Sequence, residues 1–163
     1  MQDIIYEENV TTFSSENGDV KIRDGEVIED SSTVAARIEL ADHFDLISDL
    51  QTLSPMEVTF DELGGELVND KYEVPKDGVY LLTANLSGVN FPTGETIVGR
   101  IDTNDFRNIR GSDTSGSNRY PTASPSGAVR LSESDTVELK GSASVDYRAA
   151  YGQHLTSLSI IKL

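Results

Sequence analysis

Apolar and polar residues alternate in short runs from about residue 56 to the end of the chain. The runs include MEVTFDEL, ELVNDKYEV, VYLLTANLSGV, ETIVGRID, DTVELKGS and LTSLSIIKL, with turn residues between them. An alternation of period two places apolar side chains on one face of a strand. Several short strands separated by turns are typical of a sandwich or jelly roll. We therefore predict an all-β fold, an antiparallel two-sheet jelly roll over residues ~54–163, preceded by a short β-arm and a short helix.

The segment YEVPKDGVYLL reads as two strands joined by a turn. Pro75 fixes φ and has no N–H to donate, which suits the end of a strand rather than a central position. Asp77 and Gly78 supply the residue types that a turn needs. We expect Pro75, Asp77, Gly78 and Tyr80 to define this part of the fold.

Residues 1 to about 31 contain short β-rich runs with turn signals at Asn17-Gly18 and Asp24-Gly25. The second signal predicts a hairpin across Asp24-Gly25. Few large apolar residues occur here, so this part has little core of its own. It is either an arm that docks on another protein or a set of strands added to the main domain. We assign residues 1–53 to an N-terminal arm or anchor and residues 54–163 to a head.

A helix is predicted between residues 32 and 52. Leu40, Phe44, Ile47 and Leu50 recur at spacings of four, three and three, which is one stripe of a helix, and Val34 and Ile38 extend it partly. A serine at 31 or 32 can cap its start, and Pro55 bars helix soon after its end. The helix is either a stem that joins copies at a symmetry axis or an element packed on its own sheet.

The segment from residue 108 to 127 is rich in Ser, Gly, Pro and Asn and reads as a long exposed loop. Arg107, Arg110, Arg119 and Tyr120 lie in or beside it, and Arg100 precedes it. One interpretation is a contact site for an acidic neighbour or a glycan, with the tyrosine as a stacking surface. The other is a set of ion pairs within or between protomers.

The charge balance restricts the partners. The 163 residues include 28 Asp and Glu against 13 Lys and Arg, a net charge of −15. Such a chain repels nucleic acid and anionic membrane surfaces, so we expect neither nucleic acid binding nor membrane insertion. The acids are dispersed rather than clustered, which is typical of proteins from halophilic organisms, where salt screens the repulsion. An ordinary acidic protein is the alternative.

Candidate catalytic chemistry is sparse. There is no cysteine, and His43 and His154 have no metal-binding spacing. Gly-x-Ser-x-Gly, P-loop and Gly-x-Gly-x-x-Gly motifs do not occur. We expect no enzyme and no cofactor. The nearest calcium candidate is the segment Asp102-Thr103-Asn104-Asp105, which lacks the alternating ligand spacing of a known calcium loop.

Four segments together resemble the trimeric jelly-roll heads of the tumour necrosis factor (TNF) and complement C1q superfamily. They are VTFDEL, YEVPKDGVYLL, AVRLSESDTVEL and TSLSIIKL, and they span about two-thirds of the chain. Ser134 replaces the glycine that usually precedes Asp135 in this family, and the closing segment lacks the family's Phe and Gly. The resemblance implies a ten-strand jelly roll, a tight trimer with apolar contacts along its axis, and binding through loops and inter-protomer grooves without catalysis. It also implies a structural role for Asp135.

The first ten residues lack the basic and apolar regions of a signal peptide, so we expect synthesis in the host cytoplasm. A recognition head without cysteine, with a halophilic surface, favours a virion structural protein of a halophilic archaeal tailed virus. We expect a homotrimeric capsid decoration protein on the particle surface. Residues 1–53 would bind the major capsid protein or another virion protein, and the head would face a host glycan or receptor. The alternatives are the tip of a tail fibre or spike, and a cellular recognition module.

Overall fold

In a computed structural model the chain is built from antiparallel β-strands. The structure describes residues 3–7, 10–15, 18–23, 26–30, 34–104, 108–117, 120–151 and 155–163, and up to residue 34 it describes the backbone only. Within these ranges the chain forms no helix. The same ranges accordingly hold no helix long and apolar enough to cross a membrane.

Four strands near the N-terminus form a sheet of their own, the N-terminal sheet. They follow sequence order and are β1 (Asp3–Glu7), β2 (Val10–Ser15), β3 (Gly18–Arg23) and β4 (Glu26–Asp30). β3 and β4 pair antiparallel, as the predicted hairpin requires, whereas its turn residues Asp24 and Gly25 lie outside the described residues. None of the four is paired with a strand of the later sheets in the part of the chain that the structure describes.

The remaining strands form two larger sheets and one small pair. Sheet I has the order β14-β11-β18-β5-β8, with β15 also on β11, and sheet II has the order β13-β12-β16-β10-β9, with β7 on β16. The strands of sheet I are β5 (Val34–Leu40), β8 (Met56–Asp61), β11 (Gly78–Ser87), β14 (Thr122–Ala123), β15 (Ser126–Leu131) and β18 (Ser157–Lys162). Those of sheet II are β7 (Gln51–Thr52), β9 (Glu66–Val68), β10 (Lys71–Glu73), β12 (Thr96–Thr103), β13 (Asn108–Thr114) and β16 (Thr136–Ala143). β6 (Phe44–Leu46) pairs with β17 (Tyr147–Ala149).

The hydrophobic core lies between the inner faces of sheets I and II. Both sheets contribute alternate residues: Tyr80 and Leu82 from β11, and Ile97 and Ile101 from β12, are fully buried. Gly141 on β16 lets the layers approach closely, because a Cβ there would lie 2.8 Å from methyl carbons of Leu46 and Leu86. The strands therefore form a packed two-sheet jelly roll, as the period-two alternation predicts.

The predicted short helix is wrong. β5, β6 and β7 occupy residues 34–52 instead. Ala36, Ile38 and Leu40 are buried on the core face of β5, whereas Arg37 and Glu39 between them lie on the opposite face and pair with each other, so the apolar period here is two rather than 3.6. β5 is hydrogen-bonded on both sides, to β18 and β8, and this pairing overrides the helical spacing of Val34, Ile38 and the later apolar residues. The stem interpretation fails with the helix.

β5 also shows where the jelly roll starts. It lies inside sheet I between the C-terminal strand β18 and β8, and β7 is paired with β16 of sheet II. The division at residues 53 and 54 therefore does not coincide with the sheets, because the strands before it are hydrogen-bonded to strands after it. We refer to residues 34–163 as the head.

The predicted loop over residues 108–127 is partly strand. β13 pairs with β12 over seven residue pairs, from Thr96 with Thr114 to Asp102 with Asn108. β13 is the edge strand of sheet II, and only Ile109 among its large residues packs against the core. An edge strand with so little buried surface carries no apolar alternation, so its composition is that of a loop.

Candidate interaction site

The turn predicted from YEVPKDGVYLL joins β10 to β11. The Asp77 carboxylate accepts a hydrogen bond from the backbone N–H of Glu133 at 2.7 Å, so the turn is tied to the loop between β15 and β16. The Tyr80 hydroxyl donates to the Lys76 carbonyl at 2.6 Å. A Cβ on Gly78 would lie 2.7 Å from the Lys162 side chain. Pro75 is partly buried before the turn.

Asp135 holds the loop that faces this turn. Its carboxylate accepts from the Ser132 N–H at 2.8 Å, and its carbonyl accepts from Val74 N–H at 2.9 Å. Ser134 donates its N–H to the Val74 carbonyl at 2.9 Å and has φ of 69°. That left-handed conformation costs an L-residue energy that glycine does not pay, so Ser134 is strained where the resembling family has glycine.

Replacing Ser134 with glycine is expected to stabilise the head by about 0.5–1 kcal/mol, because relief of the left-handed strain exceeds the added freedom of the unfolded chain. Urea unfolding measures the difference. Ser132→Gly is the matched control: Ser132 lies in the same loop without a positive φ and should lose stability. Equal changes in the free energy of unfolding for the two variants would show that residue 134 is not strained.

Two core tyrosines have their pKa raised. Burial raises the pKa of Tyr72 far above its ordinary range, and its hydrogen bond to Asp61 adds to the effect. Burial also raises the pKa of Tyr80, with the charge of Asp77 adding to it. Both hydroxyls therefore stay protonated in the folded head at a pH where an unfolded tyrosine ionises.

These shifts predict alkaline instability. Because each folded pKa lies above the unfolded value of about 10, their contribution is complete below pH ~10 and is lost as the pH rises further. The slope should approach about 1.4 kcal/mol per pH unit for each tyrosine. Denaturant unfolding from pH 8 to 11 should show a decline that is shallower in Tyr72→Phe. An identical decline of the unfolding free energy with pH in Tyr72→Phe would show that ionisation of Tyr72 does not contribute to the alkaline instability.

The structure places the predicted cation cluster only in part. Arg107 and Arg119 lie outside the described residues. Arg110 is exposed on β13, opposite Arg100 on β12, and Tyr120 is 55% exposed before β14. No hydrogen bond, ion pair or ring contact joins Arg110 to Tyr120 among the residues described, so the structure does not bring these two together.

The outer face of sheet II carries an ion-pair network that includes Arg100. Arg100 and Lys140 both pair with the Asp102 carboxylate, and Lys140 also lies 3.2 Å from Glu138. Burial disfavours the charged Lys140, but its hydrogen bonds to the two carboxylates outweigh this and raise its pKa. For Arg100 this is the intramolecular ion pairing that the sequence left as one alternative.

In the described part of the calcium candidate, side chains are engaged within the protein. Asp102 is paired with cations, the Asn104 side-chain oxygen accepts from the Thr136 N–H at 3.0 Å, and Asp105 lies outside the described residues. No group of three or more His, Cys, Asp or Glu side chains suited to a metal occurs in the described ranges. His43 contacts Tyr151, with ring centroids 4.4 Å apart, and His154 is outside the description.

The centre of the outer face of sheet I carries a row of apolar residues. Four apolar residues face outward in register across four strands and form the apolar row: Ala35, Ile161, Leu81 and Ala128. Among the outward positions of the central strands β5, β11 and β18, only Arg37 and Glu39 are charged, and they pair with each other at 2.8 Å. The outer strands of the sheet add Glu57 on β8 and Arg130 on β15, both exposed. Ala35, Leu81 and Ile161 are only partly buried and Ala128 is exposed, which leaves apolar surface open to a partner.

Comparison with known proteins gives a fold but no close relative. Neither a scan against protein-family models nor a search of curated proteins finds a match. Solved structures do match: murine APRIL at pH 5.0 has a TM-score of 0.65 at 18% identity, over 80% of this chain and 99% of that one. The Eiger TNF of S. frugiperda has a TM-score of 0.61 at 13% identity, over 80% and 92% of the two chains.

A third match is the globular domain of zebrafish complement 1qA, with a TM-score of 0.60 at 12% identity, over 80% of this chain and 96% of that domain. The head is a TNF/C1q-like jelly roll. Identities this low establish the fold and leave its partners open.

In this TNF/C1q-like head the four resembling segments lie on identifiable elements. VTFDEL starts within β8, YEVPKDGVYLL runs from β10 into β11, AVRLSESDTVEL joins β15 to β16, and TSLSIIKL contains β18. The sequence therefore marked strands of both sheets. It missed β5, whose alternation was masked by the helical spacing, and it missed the apolar row, which needs the register of four strands to be known.

Proposed function

We propose that this protein is a non-enzymatic binding module that assembles as a homotrimer through the apolar row. The row is the observation that carries the proposal. Ala35, Ile161 and Leu81 lie at the centre of sheet I and are partly exposed, and the two charged residues on the outward face of β5, Arg37 and Glu39, pair with each other. Burial of this row in an oligomer removes apolar surface from water.

Symmetry favours a closed ring of copies. A heterologous contact on a sheet face generates a closed ring when the rotation that relates neighbouring copies brings the last copy back to the first. The TNF/C1q-like fold of the head supports three copies as the number that closes it. The remaining acidic surface then faces solvent, where salt screens its repulsion.

Light scattering in molar salt tests the trimer. The full chain should have three times the 17.7 kDa mass of the protomer, independent of protein concentration over a wide range. A mass of 17.7 kDa at high protein concentration would contradict the proposal.

For the biological setting we propose a decoration protein on the surface of a virion, made in the host cytoplasm. The dispersed acidic surface supports a halophilic setting, and the N-terminal sheet supplies an element separate from the head sheets that could anchor the trimer to a capsid protein. The strands of this anchor are β1–β4, so we place its boundary before β5.

Labelling of particles tests this setting against the two alternatives. Antibodies raised against the head should decorate intact particles in electron micrographs at many regularly spaced positions. Labelling confined to fibre or spike tips would favour receptor or glycan binding at a tip. Labelling of cells without particles would favour a cellular recognition module.

A further inference from the structure

A cleft of about 770 Å³ opens where the β6–β17 pair meets the segments that follow β11 and β17. Its aliphatic lining residues are Ile47, Val89, Ala149, Ala150 and Leu155. Aromatic rings of His43, Tyr147 and Tyr151 add to this lining, and the polar members are Asp45, Asn90, Asp146 and Arg148. None of these residues belongs to the apolar row.

The cleft concentrates exposed apolar surface. Val89 and Leu155 are each 40% exposed and Tyr151 is 42% exposed, although all three are large apolar or aromatic residues. Tyr151 is held edge-on against His43, with an angle of 70° between the rings. Scattered exposed apolar residues are ordinary, but several that share one concave site mark a place of binding.

The charged side chains that line the cleft have a negative net charge. Asp45 lies 3.3 Å from Arg148, so these two charges offset each other. Asp146 has no hydrogen bond or ion pair with any residue in the described ranges, which leaves one carboxylate open to a ligand. The Tyr147 hydroxyl donates to the Asn90 carbonyl, so that donor is already used within the protein.

We propose that this cleft binds a segment of a partner protein that presents an apolar side chain next to a lysine or arginine. The apolar side chain packs among Val89, Leu155 and Tyr151, and the cation lies beside Asp146. The net charge of −15 attracts such a segment and repels an acidic one. This inference rests on the proposed binding module and adds the chemistry of its partner.

A saccharide fits the same cleft less well. Sugar hydroxyls need hydrogen-bond partners on most sides, and five aliphatic side chains offer none. The Tyr147 hydroxyl and the Asp45–Arg148 pair are already engaged. An apolar lining beside one unpaired carboxylate is better matched by a peptide that presents an apolar side chain next to a basic one.

Titration of the isotope-labelled full chain with four dipeptides tests the proposal by NMR. The probes are N-acetyl, C-amide forms of Phe-Lys, Phe-Gln, Phe-Glu and Ala-Lys. Phe-Lys should shift the amide signals of Val89, Tyr151 and Leu155, and should bind roughly two- to fivefold tighter than Phe-Gln, as one exposed charge pair allows. Phe-Glu and Ala-Lys should bind more weakly than Phe-Gln.

Two variants locate the interaction. Asp146→Asn should remove the preference for Phe-Lys over Phe-Gln, whereas Glu57→Gln, which removes one exposed carboxylate on β8, should keep it. Leu155→Ser should weaken both peptides alike. Light scattering of each variant shows whether the trimer is intact.

Three results would overturn the proposal: no shift of cleft signals with any dipeptide, equal binding of Phe-Lys and Phe-Glu, or shifts with methyl glucoside alone. If these occur while the protein is still a trimer, the inference about the cleft fails and the trimeric module stands. If Phe-Lys binds a protein that is monomeric, the cleft stands and the proposed assembly fails.

Discussion

Glutamate in place of Ile161 is expected to convert the trimer into folded monomers. Ile161 is the residue of the apolar row that pairs with both Ala35 and Leu81, so it lies at the centre of the proposed interface. Loss of its burial alone should weaken assembly roughly ten- to a hundredfold per protomer, and a buried unpaired carboxylate adds to this. The measurement is light scattering over a dilution series, with circular dichroism to show that the monomer is folded.

The control places the same charge on the opposite side of the head. Ser112 is exposed on β13 of sheet II, and Ser112→Glu should leave the trimer intact. A trimer that survives Ile161→Glu, or one that is lost equally in both variants, would show that the apolar row is not the interface.

Alanine in place of Gly65 is expected to lower the free energy of unfolding by about 3 kcal/mol or more, at the upper end of what overpacking costs. A Cβ there would lie 2.4 Å from the Glu73 carbonyl oxygen and 2.5 Å from the ring of Tyr72. Neither can yield easily, because Tyr72 is fully buried and its hydroxyl donates to Asp61 at 2.9 Å while accepting from the Gly65 N–H at 3.0 Å. Urea unfolding gives the difference.

Gly64 serves as a control that separates the cost of a steric clash from the cost of backbone strain. Gly64 has φ of 75°, and a Cβ added to it would have no atom within 4 Å, so Gly64→Ala should cost only the left-handed strain, about 1–2 kcal/mol. Gly65→Ala should therefore lower the free energy of unfolding more than Gly64→Ala. The reverse order would mean that the Tyr72 ring is free to move.

Much of the fold could be predicted because local patterns and sheet packing agree. In β11, β12, β16 and β18 the apolar residues of the alternation point into the core and the residues between them point outward. The Asp-Gly pair after Pro75 lies at a turn, as its residue types predict. β5 shows the opposite case: its segment holds both a period-two and a helical spacing, and only the pairing with β18 decides between them. That partner is more than a hundred residues away in sequence.

The candidate sites could be predicted less well than the fold. The apolar row depends on the register of β5, β18, β11 and β15, and the cleft combines residues from 43–47, 89–90, 146–151 and 155. No single segment carries either pattern. The loop-like composition favoured the arginines near residues 100–119 as a contact site instead. Of these, Arg100 is engaged in ion pairs on sheet II.

The most direct test of the proposed trimer face is the distance between spin labels on single cysteines, which this cysteine-free chain permits without background. Labels are attached to Ala128→Cys, at the end of the apolar row, and to Ser112→Cys on sheet II. The intermolecular distance for Ala128→Cys should be well defined and shorter than that for Ser112→Cys, and the dipolar signal should be typical of three coupled spins. A shorter distance for Ser112→Cys, or no intermolecular coupling at Ala128→Cys, would contradict assembly through sheet I.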